Sequence, residues 1–175
     1  MLTLALLRHA KSSWNDGGLA DYDRPLAKRG QKAAPEIGAE LAFLGMRPEL
    51  VLCSGSVRTR DTLDLVLAKL GGASPEVVYD DAIYMATPAT LLSILRKIPN
   101  GTSPPRSVMV VGHNPGLEEL AALLVGAGGD EDRNRMSAKF PAGAVAVICF
   151  DAASWASIGL GTGSLEHFIT PKRLT

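Results

Sequence analysis

The first strong signal along the chain is an unbroken apolar run, Leu2 to Leu7, that ends abruptly in Arg8-His9. A run of this length bounded by a change of character predicts a buried strand. Residues 15–24 are polar and contain glycine, which predicts a loop. Ile37, Leu41 and Leu44 then keep helical spacing. Pro35 suits a first turn better than a helix interior, so the main helix is expected from about Ala34, after a turn over Lys28–Ala33. Gly45 ends it. Leu50–Cys53 predicts a short strand, turned by Ser54-Gly55-Ser56 into a helix whose stripe is Leu63, Val66, Leu67 and Leu70. Glu76–Tyr79 predicts a brief strand. Thr87-Pro88 is an N-cap followed by proline at the first helical position, opening a helix with Leu91, Ile94, Leu95 and Ile98 on one face.

Ser107–Val111 is another buried strand, left through Gly112-His113-Asn114-Pro115. Asn114 suits an N-cap and Pro115 a first helical residue, with Leu117, Leu120, Ala121 and Leu124 as the apolar stripe. Gly126–Met136 is rich in glycine and charge and predicts a loop, a candidate lid. Ala144–Phe150 and Ser164–Ile169 predict two final strands, paired as a hairpin. Alternating strands and helices predict one α/β domain over residues 1–175, in three layers, with a mostly parallel mixed sheet flanked by helices.

Composition narrows the function. Lys and Arg together equal Asp and Glu, so the formal net charge is zero. No global field favours nucleic acid or an anionic membrane, and any anion site must be a local cluster. No apolar stretch approaches the roughly 20 residues of a membrane span. The N-terminal run lacks a basic leader and a cleavage pattern, so it is not read as a signal peptide. Cys53 and Cys149 both sit in apolar runs and are expected to be buried thiols in reduced cytoplasm.

Three strand-to-helix turns carry unusual side chains: Arg8, His9 and Lys11; Ser54, Ser56, Arg58 and Arg60; His113 and Asn114. In a parallel sheet these turns share one edge, where ligands bind. Two of them open helices, whose free N–H groups favour an anion. Guanidinium groups grip phosphoryl oxygens, and a neutral imidazole is a nucleophile near pH 7. Such a constellation predicts a phosphate site capable of phosphoryl transfer through histidine. The three histidines form no H-E-x-x-H pattern and the cysteines no C-x-x-C, so no metal and no cofactor are expected.

LLRHAKSSW, SGSVRTRDT and VVGHNPGLEEL, in that order and with DYDRPLAKRG between the first two, resemble the histidine phosphatase superfamily, the phosphoglycerate mutase-like proteins. Its small branch, the SixA-type phosphohistidine phosphatases, is the nearer likeness. The resemblance implies that His9 is the nucleophile, that Arg8 and Arg58 hold the phosphate, and that His113 bonds the phosphoryl group. Lys11 is a weaker phosphate-binding candidate. Larger relatives insert a long segment that helps supply a glutamate acid. Here Gly72–Pro88 is short, with Glu76, Asp80 and Asp81 as its carboxylates. A leaving imidazole tolerates a weak or absent acid better than an alkoxide does. The implied activity is therefore a metal-independent phosphatase, with protein phosphohistidine as the expected substrate. A small phosphoester as substrate, or a non-catalytic phosphate-binding module of the same fold, are the alternatives.

Plainer roles are expected elsewhere. Arg60 reads as a helix-surface residue or loop support, Arg24 as a loop pin, His167 as a structural strand residue, and Trp14 and Trp155 as core or rim. A cysteine phosphatase needs Cys-x5-Arg, but that spacing from Cys53 falls at Thr59, between Arg58 and Arg60. Gly159-Leu160-Gly161-Thr162-Gly163 has the wrong spacing for a dinucleotide fingerprint.

Overall fold

Alternate residues of the strands face opposite sides of one sheet, and both sides are apolar. The computed structural model describes all of residues 1–175. Strand β1 (Leu2–Arg8) sends Leu2, Leu4 and Leu6 into one core and Ala5 and Leu7 into the other. Strands β2 (Leu50–Cys53) and β4 (Ser107–Gly112) repeat the pattern, with Leu52 and Val110 on the first side and Val51 and Met109 on the second. Burial on both faces is why these strands read as continuous apolar runs.

The seven strands lie in the order β3-β2-β4-β1-β6-β7-β5, with β3 at Glu76–Tyr79, β5 at Val125–Gly128, β6 at Val145–Phe150 and β7 at Gly163–Ile169. Strand β6 runs antiparallel to both neighbours, β1 and β7. The other pairings are parallel. The sheet is thus mixed and mostly parallel. Helices α1 (Lys28–Phe43) and α2 (Val57–Leu70) cover one face through Ile37, Leu41, Leu63 and Val66. Helices α3 (Pro88–Arg96) and α4 (Gly116–Leu124) cover the other through Leu91, Leu95, Leu117 and Leu120. No helix is long and apolar enough to cross a membrane.

Three expectations need correction. Helix α1 begins at Lys28 and runs through Pro35, rather than starting near Ala34. Proline removes one ladder bond, but the first turns are held by packing: a Cβ on Gly30 would sit 2.2 Å from the Lys11 carbonyl oxygen, so this turn lies directly against the first loop. Helix α4 begins at Gly116, one residue late. Pro115 takes the N-cap position in place of Asn114, whose Oδ1, one residue earlier, accepts from the Glu118 N–H at 3.3 Å. Residues 126–136 are not a loop. They form most of edge strand β5 and of helix α5 (Asp130–Ala138). Asp132 holds α5 down by accepting from the Phe168 N–H at 3.1 Å, and Met136 is buried, so a free lid is not what this segment forms.

Helix α1 carries Gly30, Ala34 and Gly38 on one face, and Gly38 lets it approach α2 closely. A Cβ there would fall 2.4 Å from the Val66 carbonyl oxygen. Gly38→Ala is expected to destabilise the protein by roughly 1–3 kcal/mol through overpacking, against a helix-propensity gain of about 1 kcal/mol. Gly101→Ala, which meets nothing, should stay within about 0.5 kcal/mol of wild type. Denaturant unfolding of the two variants checks this; an unchanged midpoint for Gly38→Ala would contradict the close approach.

Candidate active site

Strand register brings the three chemistry-bearing turns together. Arg8 pairs with Gly112 across β1 and β4, and Cys53 pairs with Val111 across β2 and β4. The next residues, His9, His113 and Ser54, therefore leave the sheet side by side. The ring centroids of His9 and His113 are 5.4 Å apart. Arg8, His9, Lys11, Arg58 and His113 all line one cavity of about 290 Å3, with Asp21, Arg24 and Asn114 also on its wall.

His9 is 8% exposed. Its Nδ1 lies 2.7 Å from the Ala10 carbonyl oxygen, which can only accept, so Nδ1 carries the proton and Nε2 carries a lone pair. Burial, followed by the nearby arginines, pushes its pKa down to about 4, against an ordinary value of 6.5. The turn is fixed from α2: the Thr62 hydroxyl accepts from the Ala10 N–H at 3.0 Å and donates to the Arg58 carbonyl at 2.7 Å.

Arg8 donates from Nη1 to the Phe140 carbonyl at 3.0 Å, and Asn114 Nδ2 donates to the same oxygen at 2.9 Å. Burial lowers the Arg8 pKa, and the charge of Glu118 opposes that shift. Its Nε is buried with no partner. An orphaned guanidinium donor on a cavity wall suits an oxyanion.

Arg58, in the first turn of α2, is 4% exposed. It donates from Nη1 to the Asp21 backbone carbonyl at 2.6 Å and from Nη2 to the Asp21 carboxylate at 2.9 Å. Asp21 also accepts from Arg24 Nη1 at 3.1 Å and from the Tyr84 hydroxyl. The Tyr84 bond, then Arg58, hold its carboxyl near a pKa of about 2. His113 places Nε2 2.9 Å from the Ser54 hydroxyl and Nδ1 3.4 Å from Arg58 Nη2. Burial first, then the neighbouring His9 and Arg58, push its pKa down to about 3.

Asp21, Tyr84 and Thr62 were not singled out in the sequence. Asp21 lies within DYDRPLAKRG and Thr62 closes SGSVRTRDT, which are the available signals; Tyr84 has none. Asp80 caps a short 3-10 turn by accepting from the Ala82 N–H, and Asp81 accepts from the Tyr22 hydroxyl at 2.6 Å. Neither lines the cavity. Arg60 supports its loop by donating to the Gly55 carbonyl at 2.7 Å. Arg24 bonds Ser12, Ser13 and Asp21, pinning the loop, and stacks on Trp14, which is 72% exposed. Cys53 is buried and its thiol is pushed up to about 12 by burial. No group of three or more His, Cys, Asp or Glu side chains is gathered to hold a metal ion.

The depressed imidazole values have a sign. As pH falls below 6.5 the unfolded chain binds protons that the folded His9 and His113 refuse. Stability from these groups is complete above 6.5 and is lost as pH falls towards 4 and then 3. The melting temperature should fall across pH 6.5 to 4, and His9→Asn should flatten part of that slope. Calorimetry across the window decides; a flat wild-type profile would mean that both rings titrate normally.

Known proteins can be set beside this geometry. Residues 4–83 match the model of the histidine phosphatase superfamily, branch 1. An uncharacterised Mycobacterium tuberculosis protein is 34% identical over 168 residues, covering 95% of this chain and 100% of that protein. An uncharacterised chloroplastic protein of Arabidopsis thaliana is 40% identical over 129 residues, 71% of this chain and 59% of the plant protein. Among solved structures, a candidate phosphohistidine phosphatase SixA from Agrobacterium tumefaciens superposes with a TM-score of 0.80 at 30% identity, covering 97% of this chain and 98% of that one.

Proposed function

The chain belongs to the histidine phosphatase superfamily, and from that premise we propose that it hydrolyses phosphoryl groups through a phosphohistidine formed on His9, with protein phosphohistidine as substrate. The observation that carries this reading is the state of His9: a neutral ring whose Nδ1–H is tied to the Ala10 carbonyl, leaving the Nε2 lone pair for attack.

In the first step Nε2 of His9 bonds to phosphorus as the bond from phosphorus to the substrate imidazole breaks. The departing electron pair stays on the substrate nitrogen, and a proton taken from solvent onto the far ring nitrogen beforehand makes the released imidazole neutral. In the second step water attacks phosphorus, the bond to Nε2 breaks, inorganic phosphate leaves and the water proton passes to solvent. Arg8 Nε, Arg58 and His113 hold the equatorial oxygens, which is most of the catalysis such a reaction needs. Arg58 Nη2 donates to His113 Nδ1, so the His113 proton rests on Nε2 towards the Ser54 hydroxyl, and bonding a phosphoryl oxygen from Nδ1 needs that proton moved across the ring.

The substrate class rests on the leaving group. Asp21 is the carboxylate on the cavity wall, and its hydrogen bonds hold it ionised, so it is a poor proton donor. A phosphohistidine ring protonated on its far nitrogen releases a neutral imidazole, whose conjugate acid has a reference pKa of about 6.5, and needs no donor at the breaking bond; an alkoxide does. The Agrobacterium protein carries a name of the same substrate class.

Mixing the protein with a phosphohistidine protein and quenching in alkali should trap a base-stable, acid-labile phosphoryl group on His9. His9→Ala should lose about a thousandfold or more in turnover. Turnover surviving in that variant would end the nucleophile assignment, and loss of activity in EDTA would contradict a metal-free reaction. Phosphohistidine should turn over at least about a hundredfold faster than an alkyl phosphate, the usual contribution of a missing general acid. Equal rates in a stopped assay would point to a proton donor and to a small-molecule substrate.

A further inference from the structure

The catalytic cavity does not stand alone. A second, open groove of about 560 Å3 shares Arg8, Lys11 and Ala142 with it and runs outward along the exposed side of α1. Its charged side chains are Arg8, Lys11, Arg29, Lys32, Lys139 and Lys172, against the one carboxylate of Glu36. Arg29, Lys32 and Glu36 are spaced three and four apart, so they share one face of α1. Lys139 ends α5, and Lys172 lies in the short 3-10 turn Pro171–Arg173 near the C-terminus.

Two features make this more than an ordinary solvated surface. The whole chain has a formal net charge of zero, so the groove concentrates positive charge that the rest of the molecule balances elsewhere. The ion pairs of the molecule use Arg24, Arg58, Arg135 and Arg173, and none of the groove's cations is among them. Unneutralised like charges held side by side cost free energy unless an anion answers them.

We infer that this groove is a docking track for an acidic polypeptide segment of the phosphorylated protein substrate, leading from Arg29 and Lys32 to the catalytic pocket at Arg8. The inference rests on the phosphohistidine reading given above. The groove is open, its lysines are solvated, and Arg8 at its inner end is the partly buried cation. A strip of this kind fits carboxylates spread along an extended chain rather than one small polyanion. Its effect is on encounter: fixed positive charge beside a site raises the association rate of an acidic partner and loses that effect as salt rises.

Two synthetic peptides with one phosphohistidine each, flanked by glutamates or by lysines, are compared with p-nitrophenyl phosphate, and an unphosphorylated glutamate-rich peptide serves as competitor. At low salt the acidic-flanked peptide should show a kcat/KM about tenfold or more above the basic-flanked one, converging as salt rises. The unphosphorylated acidic peptide should inhibit p-nitrophenyl phosphate turnover competitively. Lys32→Glu, Lys139→Glu and Lys172→Glu together should abolish both the preference and the inhibition while p-nitrophenyl phosphate turnover stays unchanged. A preference that survives in the triple variant, or inhibition by tripolyphosphate with none by the acidic peptide, would overturn the docking track. Competition by the acidic peptide without turnover of either phosphohistidine peptide would keep the track and overturn the substrate reading instead.

Discussion

The register of three parallel strands is the constraint on which the site depends. Because Arg8 stands opposite Gly112 and Cys53 opposite Val111, the chain leaves β1, β2 and β4 at one level. A slip of one residue would turn Leu4 and Leu6 out of their core and would carry His9 into the sheet with them. The apolar packing of both faces and the meeting of His9 with His113 are thus two results of one alignment. Thr62 ties the first turn to the second, so helix α2 cannot shift without moving both Ala10 and Arg58.

Holding several cations beside a neutral imidazole is the electrostatic problem of such a pocket. Asp21 answers part of it. Its carboxylate takes bonds from Arg58, Arg24 and Tyr84, and so orients two guanidinium groups at once. Burial first, then the uncompensated remainder, keeps His9 and His113 unprotonated. Arg8 is treated differently, aimed by the Phe140 carbonyl while its Nε is left without a protein partner. One arginine is clamped and the other is left with a free donor, a division that lets the pocket be rigid and still receptive.

The core strands and four of the helices were legible because their apolar positions repeat with a clear period. Arg8, His9 and His113 were legible for the converse reason: each interrupts or directly follows an apolar run. Helix α5 was missed because its residues are polar on nearly every face, and β5 because Val-Gly-Ala-Gly offers no alternation. Helix α1 was started too late because Pro35 is a local signal, whereas the contact of Gly30 with Lys11 is a tertiary one. Asp21 and Tyr84 come from separate short turns and meet at Arg58 only when the fold closes, so no window of sequence contains their relation.

An imidazole nucleophile at His9 would set the protein apart from thiolate-based phosphoryl transfer in its response to oxidants. The Cys53 thiol is buried and held protonated, and the proposed attacking atom is an imidazole nitrogen. Peroxide silences a thiolate nucleophile by carrying it up the sulfur oxidation ladder, and an imidazole nucleophile is not on that ladder. A phosphatase so built would keep removing phosphoryl groups during oxidative stress, when cysteine-dependent enzymes stop.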